Sequence, residues 1–366
     1  MMAKISIEGI GVVGGFGWGM KQLSMSLADQ KTSIEKAPFQ TAKGTARIPA
    51  YLADTSCLEE FAPKRALRRI DHFSKMALLG AYLALQDAGM PDLTKRRVGL
   101  VVCSGYGATR STFSFLDSII DDGDTYASPT LFSNSVHNAA SGHISILLKL
   151  SGPSLTVSQF EMSVPVALLS ACQWMAEGRV DSILFGGVDE YCDVLGYCWQ
   201  RFFGGDLQEE MRPSALDRQC AVPGEGSAFF LLSHDKTPSP NYGFITDVHV
   251  GNAGNEPISF PEGNPLILGV DEHKHCGEHY ARFLGPETEV SSYASLYGSL
   301  PIGPAFDMAI AALSIKEHTA FASKGILSDD APFKVLNQTR RLSPDPICCL
   351  KVGREGDFGI ISLSPK

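Results

Sequence analysis

The residues best placed to do chemistry gather in one turn. Gln159-Phe160-Glu161-Met162 lies between a strand-like run, Leu155 to Ser158, and a helix-like run from about Ser163 to Glu177 that Gly178 closes. A side chain on such a strand-to-helix turn sits at a helix N-terminus, where unpaired N–H groups and the helix dipole favour negative charge. A cysteine there would titrate low and act as a nucleophile. This chain places the carboxylate of Glu161 there instead. As a plain helix-start acid, Glu161 would gain about 0.3–1 kcal/mol. As a pocket group it would present negative charge to whatever enters. The two roles are compatible, and the sequence leaves both open.

Other groupings invite a function and lead less far. Gly9-Ile10-Gly11-Val12-Val13-Gly14 satisfies GxGxxG after a strand. Asp29 stands at a tolerable distance for a ribose contact, but in a polar helical stretch rather than at the end of a second strand. The glycines therefore read as serving a tight turn, not a dinucleotide. His273, His275, Cys276 and His279 share one segment and are donor types of a zinc site. No second cluster adds ligands and the neighbours are charged, so a solvated loop or helix face is expected, with no metal and no other cofactor. Cys348-Cys349 falls in an apolar run and reads as packing. A GxSxG elbow for a hydrolase serine is missing.

Positioning the turn takes alternating strands and helices. Strand signals run over Ile5 to Ile10, Arg97 to Cys103, Leu155 to Ser158, Ser182 to Phe185 and Ser227 to Ser233. Further ones follow at Gly243 to Val250, Ile347 to Val352 and Gly359 to Leu363. Helices are expected over 64–89, 135–150, 163–177 and 306–317, with Gly89 and Gly178 as stops. About forty residues after Val250 give no clear signal, and Lys236 to Asn241 reads as a proline-rich linker. The alternation predicts an α/β protein with largely buried sheets.

Composition narrows the partners. The 366 residues carry a formal net charge of −9, which argues against nucleic acid and against an anionic membrane surface. No apolar run approaches the roughly 18 residues that span a bilayer. Lys4 leads into a strand rather than a signal-peptide core. The nine cysteines are scattered without a CxxC pair and read as reduced, buried thiols. A cytoplasmic protein is expected.

The stretch from Gly152 to Glu190 resembles the β-ketoacyl-acyl carrier protein synthases, the condensing enzymes of fatty acid and polyketide synthesis. Gly152-Pro153-Ser154, Gly178 and Gly186-Gly187 keep that family's spacings, and its Thr-Ala-Cys-Ser-Ser falls on Gln159-Phe160-Glu161-Met162-Ser163. Ile7 to Gly17 resembles the family's opening strand and glycine turn, and Arg69 to Lys75 its basic helix start. Arg212-Pro213, Asp217-Arg218 and Gly224-Glu225-Gly226 match a further segment, and Gly353 to Gly359 sits where the family has Gly-Phe-Gly-Gly-Thr-Asn-Gly. The likeness is strong over 1–235 and thin over 236–345. It implies a thiolase-like fold, two similar α/β halves in an αβαβα layered arrangement. The halves would be 1–235 and a shortened 236–366.

The departures imply the function. Condensation needs a thiolate and two histidines that promote decarboxylation and hold the enolate oxygen. Here Glu161 replaces the cysteine, and neither histidine motif has a counterpart. The nearest segment, Ser291 to Gly303, contains no histidine or lysine. No intact catalytic residue is therefore expected. The resemblance places Phe160, Glu161, Met162, Ser299, Leu300, Asp357 and Phe358 at a degenerate pocket or tunnel.

A ketosynthase without its cysteine pairs, in bacterial type II polyketide synthases, with an active one as the chain-length factor. The resemblance thus implies a heterodimer with an active ketosynthase, shaping the tunnel for a polyketide chain on acyl carrier protein. The alternative is an enzyme acting as a malonyl-carrier decarboxylase or acyltransferase without the usual cysteine. Such subunits often carry glutamine at this position. An ionised glutamate would repel a malonyl carboxylate by about 4 kcal/mol at roughly 4 Å and an effective dielectric near 20. Carrier proteins are acidic, so docking is expected mainly on the partner, with Lys64, Arg65, Arg68 and Arg69 as the dense basic patch that opposes this.

Overall fold

The apolar runs read as buried strands join one 12-stranded sheet. The computed structural model describes residues 4–29, 34–204, 210–212, 215–234, 242–253, 260–271, 273–325, 331 and 333–365. The first stretch contributes β1 (Ile5–Gly14), β2 (Val98–Cys103), β3 (Ser154–Val157), β4 (Ser182–Asp189) and β5 (Gly226–His234). The second contributes β6 (Phe244–Asn252), β7 (Leu266–Leu268), β8 (Glu289–Ser291), β9 (Ile347–Val352) and β10 (Asp357–Ser364). Their order is β8-β7-β9-β10-β6-β1-β5-β4-β2-β3, with short pieces paired on β8 and β1.

That order contains a repeat. Outward from the centre, β1-β5-β4-β2-β3 and β6-β10-β9-β7-β8 use the first, last, fourth, second and third strands of each stretch. Neighbours run antiparallel, antiparallel, parallel and parallel in both. Among the described strands, the two copies pair where Ile5 and Ser6 meet Ile245 and Phe244. The linker expected at 236–241 lies outside the described residues.

Helices fill the space around these sheets. The main ones are α1 (His72–Asp87), α2 (Thr109–Asp122), α3 (Ser163–Ala176), α4 (Asp193–Phe203), α5 (Lys274–Tyr280) and α6 (Gly303–Glu317). Every residue of α6 from Gly303 to Ile315 is buried, as suits a helix apolar around almost its whole circumference. It shares one core with Val164, Ala167, Leu168 and Ala171 of α3, and with Ile7, Phe230, Ile245, Cys349 and Ile361 from the central strands. This middle layer holds α3, and therefore the turn before it, in place.

Two expected helices divide. The run 64–89 becomes Lys64–Leu67 and then α1, because the Asp71 carboxylate accepts from Ser74 N–H and starts a new helix. The run 135–150 becomes Pro129–Ser135 and Ala139–Leu148. The unassigned stretch after Val250 holds β7, α5 and β8. All nine cysteines are free, and Cys348 and Cys349 are buried in β9.

The GxGxxG glycines lie inside β1 rather than in a turn, which corrects the reading from sequence. A Cβ on Gly11 would stand 2.1 Å from the Gly80 carbonyl oxygen, and one on Gly9 would stand 2.4 Å from that of Ala84. The missing side chains let α1 lie against the strand backbone. Asp29 ends the helix Met20–Ala28, and its carbonyl accepts from Lys324 Nζ at 2.7 Å.

Gly11→Ala should therefore destabilise the chain by about 3 kcal/mol, the upper range for overpacking, since backbone must move. Urea unfolding measures this, and a loss below about 0.5 kcal/mol, the scale of an ordinary surface change, would contradict the packing account.

Candidate functional site

The turn before α3 is pinned from within. Ser163 Oγ accepts from Gln159 N–H at 2.8 Å and donates to the Ser104 carbonyl at 3.1 Å. Phe160 takes a left-handed φ of 44°, which costs a non-glycine residue roughly 1–2 kcal/mol. Its ring is 60% exposed and meets Tyr106 edge-on, with centroids 6.3 Å apart. Met162 is buried, and Glu161 between them is half-buried. Glu161 makes no capping hydrogen bond to α3, whose cap position is Met162. Its carboxylate has no hydrogen-bond or ion-pair partner among the described residues. A Cβ on Gly353 would lie 3.8 Å from Glu161 Oε2, so the loop after β9 packs on this acid.

A cavity of about 580 Å³ opens at this turn. Gln159, Phe160, Glu161 and Met162 line it, with Tyr106 from the loop after β2. Leu195, Cys198, Trp199, Phe202 and Phe203 of α4 give it an aromatic wall. His273 and Cys276 come from the start of α5, and Gly353, Arg354, Glu355 and Asp357 from the β9–β10 turn.

His273 belongs to a polar chain running inward from the cavity. Its ring lies 5.2 Å from Trp199 and 5.5 Å from Phe203, centroid to centroid. Lys274 N–H donates to Gln219 Oε1 at 3.2 Å, which turns the Gln219 amide nitrogen toward His273 Nδ1 at 3.3 Å. That assigns the ring proton to Nε2, which meets Ser299 Oγ at 3.0 Å. Ser299 in turn donates to Asp271 Oδ2 at 3.3 Å. Lys351 Nζ pairs with the same oxygen at 2.9 Å and donates to the Gly269 carbonyl at 2.9 Å.

The titrations follow this arrangement. Burial alone would push the Asp271 carboxyl up, but the paired Lys351 ammonium outweighs it and holds the group below its ordinary range. Burial likewise opposes the charge on Lys351, yet Asp271 holds its pKa above the usual lysine value. Burial pushes the Cys276 thiol up to about 12, so it stays protonated at neutral pH. Asp307, whose Oδ1 accepts from Tyr297 at 2.7 Å, is pushed up to about 7 by burial.

Cys276 offers no thiolate. Ser299 gives its proton to Asp271 and receives one from His273, so the imidazole is not poised as its base. Among the described residues, no three His, Cys, Asp or Glu side chains come together as metal ligands.

Phe160, Glu161, Met162 and Asp357 line one cavity. Ser299 reaches that cavity only through His273. Two expected pocket residues do not line it. Leu300 is buried in the central core, and Phe358 is buried and stacked on His249 with centroids 5.4 Å apart. The solvated segment expected at 273–279 is corrected for His273 and Cys276, which line the cavity. Trp199, Phe203 and Arg354 also escaped the sequence reading. The spacing of Leu195, Cys198, Trp199 and Phe202 at i, i+3, i+4 and i+7 was the available signal for an apolar helix face.

Residues 2–237 match the family model described as "Beta-ketoacyl synthase, N-terminal domain". A 3-oxoacyl-[acyl-carrier-protein] synthase 2 from Vibrio cholerae is 24% identical over 217 residues, 56% of this chain and 51% of that protein. Nodulation protein E from a Rhizobium species is 26% identical over 63% of this chain and 58% of its own length. The matched stretches thus span about half the length of these relatives. A synthase 2 from Coxiella burnetii aligns over 99% of this chain and 98% of its own length at 24% identity. Among solved structures, the ishigamide ketosynthase/chain length factor superposes with a TM-score of 0.79 at 18% identity, covering 100% of this chain and 99% of that one. A type II polyketide synthase ketosynthase in complex with its acyl-carrier protein gives 0.77 at 14% identity, over 100% of both chains. The fold is the layered α/β arrangement of those ketosynthases.

Asp307, buried in α6, gives the fold a measurable pH signature. Its folded pKa is raised, so its contribution to stability is complete below the ordinary carboxyl value of 3.8 and is lost as pH rises toward about 7. Asp307→Asn removes the titration. Urea unfolding should show the variant gaining on the parent chain as pH rises across that window. A difference independent of pH would contradict the assignment.

Proposed function

Because the chain belongs to the β-ketoacyl synthase family, we propose that it serves as a chain-length factor, a non-condensing subunit that pairs with an active ketosynthase. The observation that carries this reading is the turn before α3. By the family resemblance Glu161, flanked by Phe160 and Met162, stands in the nucleophile's place, and the Cys276 thiol that lines the same cavity stays protonated. The likeness to a solved ketosynthase/chain length factor supports it. On this reading the cavity borders the space into which the partner's polyketide chain grows. An acyltransferase using unfamiliar residues finds no support, since Ser299 is tied to Asp271 and Cys276 stays protonated. We assign residues 1–235 and 236–366 to the two halves, with the second shortened.

A surface for the partner supports the same reading. β3 is the last strand of the sheet, with one edge unpaired. On the two helices that pack against it, Ala139–Leu148 and α3, Ile146 is 73% and Leu169 43% exposed. A free edge beside apolar side chains favours pairing with a like edge. A ketosynthase subunit of the same fold would present one. Lys64, Arg65, Arg68 and Arg69 stand exposed, with Lys64 paired to Glu59 at 2.9 Å. With a net charge of −9, the chain remains a poor surface for an acidic carrier, which we place mainly on the partner. No described helix is long and apolar enough to cross a membrane.

Co-expression with a ketosynthase tests the proposal. The two should purify as a one-to-one heterodimer, and Ile146→Arg with Leu169→Arg should abolish pairing while leaving the circular dichroism unchanged. Purification of this chain as a stable homodimer that turns over malonyl-carrier protein would overturn it.

A further inference from the structure

Ionisable groups that do not line the cavity meet where the starts of α1, α2 and α4 come together. Glu225, just before β5, is 3% exposed. Its Oε1 accepts from Ala53 N–H at 3.0 Å and from His72 Nε2, on the first residue of α1, at 3.0 Å. Its Oε2 accepts from Tyr191 N–H at 3.0 Å. Glu190, just after β4, is 1% exposed, and its Oε1 accepts from Arg110 N–H in the first turn of α2 at 2.9 Å. The Arg110 guanidinium turns back to donate to the Tyr191 carbonyl at 2.8 Å, and its Nε lies 3.9 Å from Glu190 Oε2. Both backbone polar groups of Tyr191, just ahead of α4, are therefore held by this cluster. Asp71, which caps α1, completes it, with Oδ1 buried and without a hydrogen bond.

We propose that His72, Glu190, Glu225 and Arg110 form a proton-operated clasp that holds the starts of α2 and α4 together and so fixes two walls of the cavity. The loop before α2 carries Tyr106, α4 carries Trp199, and the two helices pack on each other. With both protons bound, the cations His72 and Arg110 face the anions Glu225 and Asp71, and Glu190 is neutral. With both lost, Arg110 alone faces three carboxylates. The buried Glu190 then gains most by turning out to water, which releases Arg110 N–H.

The balance lies near neutral pH. Burial first, and then the charge of Asp71, push the Glu190 carboxyl up to about 7, against its bond from Arg110 N–H and the charges of Arg110 and His72. Burial opposes the charge on His72, but its hydrogen bond to Glu225 and the charges of Glu225 and Glu190 hold its pKa above the ordinary value. The Glu190 contribution to stability is complete below 4.5 and is lost as pH rises toward about 7. The His72 contribution is complete below 6.5 and is lost as pH rises through its raised value, so the two losses reinforce each other. Also facing the cluster are Asp193 at the start of α4 and the Cys192 thiol, which burial pushes up to about 11. His143 of the helix Ala139–Leu148 faces Asp71, and burial holds it below the ordinary histidine value.

Hydrogen–deuterium exchange of the whole chain, corrected for the intrinsic pH dependence of amide exchange, tests the clasp. Protection of peptides covering 104–112 and 191–199 should fall about tenfold or more between pH of about 6 and about 8.5, the effect of at least one pKa unit of differential proton binding. Peptides from α6 should keep their protection. Glu190→Gln retains an acceptor for Arg110 N–H but cannot ionise, and should preserve the protection at the higher pH. His72→Gln removes a cation and should lower the protection already at the lower pH. Asp307→Asn should leave the fall in place, which separates the clasp from the titration in α6. Protection in the parent chain that does not change with pH would overturn the proposal, and that result needs no variant to fold. An equal fall in Glu190→Gln, or a fall abolished by Asp307→Asn, would overturn it as well. The clasp lies within one chain, so its test does not depend on the pairing proposed above.

Discussion

One buried carboxylate ties the candidate site to the fold. Asp189, at the end of β4, accepts from Ser104 Oγ at 2.7 Å, from the N–H groups of Gly105 and Tyr106 at 3.0 Å, and from Ile302 N–H at 3.3 Å. The first three fix the loop after β2, which supplies Tyr106 to the cavity. The last reaches the start of α6, in the other copy of the repeat. Ser104 in turn accepts from Ser163, which holds Gln159 and so the turn carrying Glu161. Burial pushes the Asp189 carboxyl up to about 6, and its donors keep it from rising further. Removing it would free the loop, the turn and the α6 junction together.

A second constraint lies between the cavity and the core. Lys351 and Asp271 form a buried pair, Ser299 and His273 extend it to the cavity, and Gln219 fixes the imidazole. Such a pair is weak evidence for stability, because desolvation offsets much of the attraction. Its evident effect is geometric. Every proton in the chain from Lys274 to Asp271 is committed, so the imidazole at the cavity serves as wall rather than base. The network stops short of Glu161, which has no hydrogen-bond or ion-pair partner among the described residues.

Much of the fold was legible because the strands are buried on both faces and read as continuous apolar runs, as in Val98–Cys103 and Ser182–Asp189. The family likeness rested on glycine spacings that the structure explains at Gly9 and Gly11 through the approach of α1. The break at Asp71 was missed because a capping carboxylate outweighed helical periodicity that runs on either side of it. Short strands such as Leu266–Leu268 and Glu289–Ser291 carry too few residues to show a period. At the site, the turn of Phe160 to Met162 was legible from its place between strand and helix. His273 and Cys276 were not, because only tertiary packing of α5 against α4 turns a charged, histidine-rich segment toward the cavity. Arg354 was hidden for the same reason, in a turn whose partner is distant in sequence.

On the proposed reading, condensation was lost through several coordinated changes, of which the missing cysteine is only one. Restoring the thiol alone tests this most directly. Glu161→Cys, assayed with an acyl thioester and malonyl-carrier protein in the absence of a partner, should take no detectable step to a condensed product, because the decarboxylating histidines are still missing and Phe160 and Met162 still crowd the turn. Condensation by that single variant at a rate approaching an active ketosynthase would contradict the account, since the rest of the site would then have been intact.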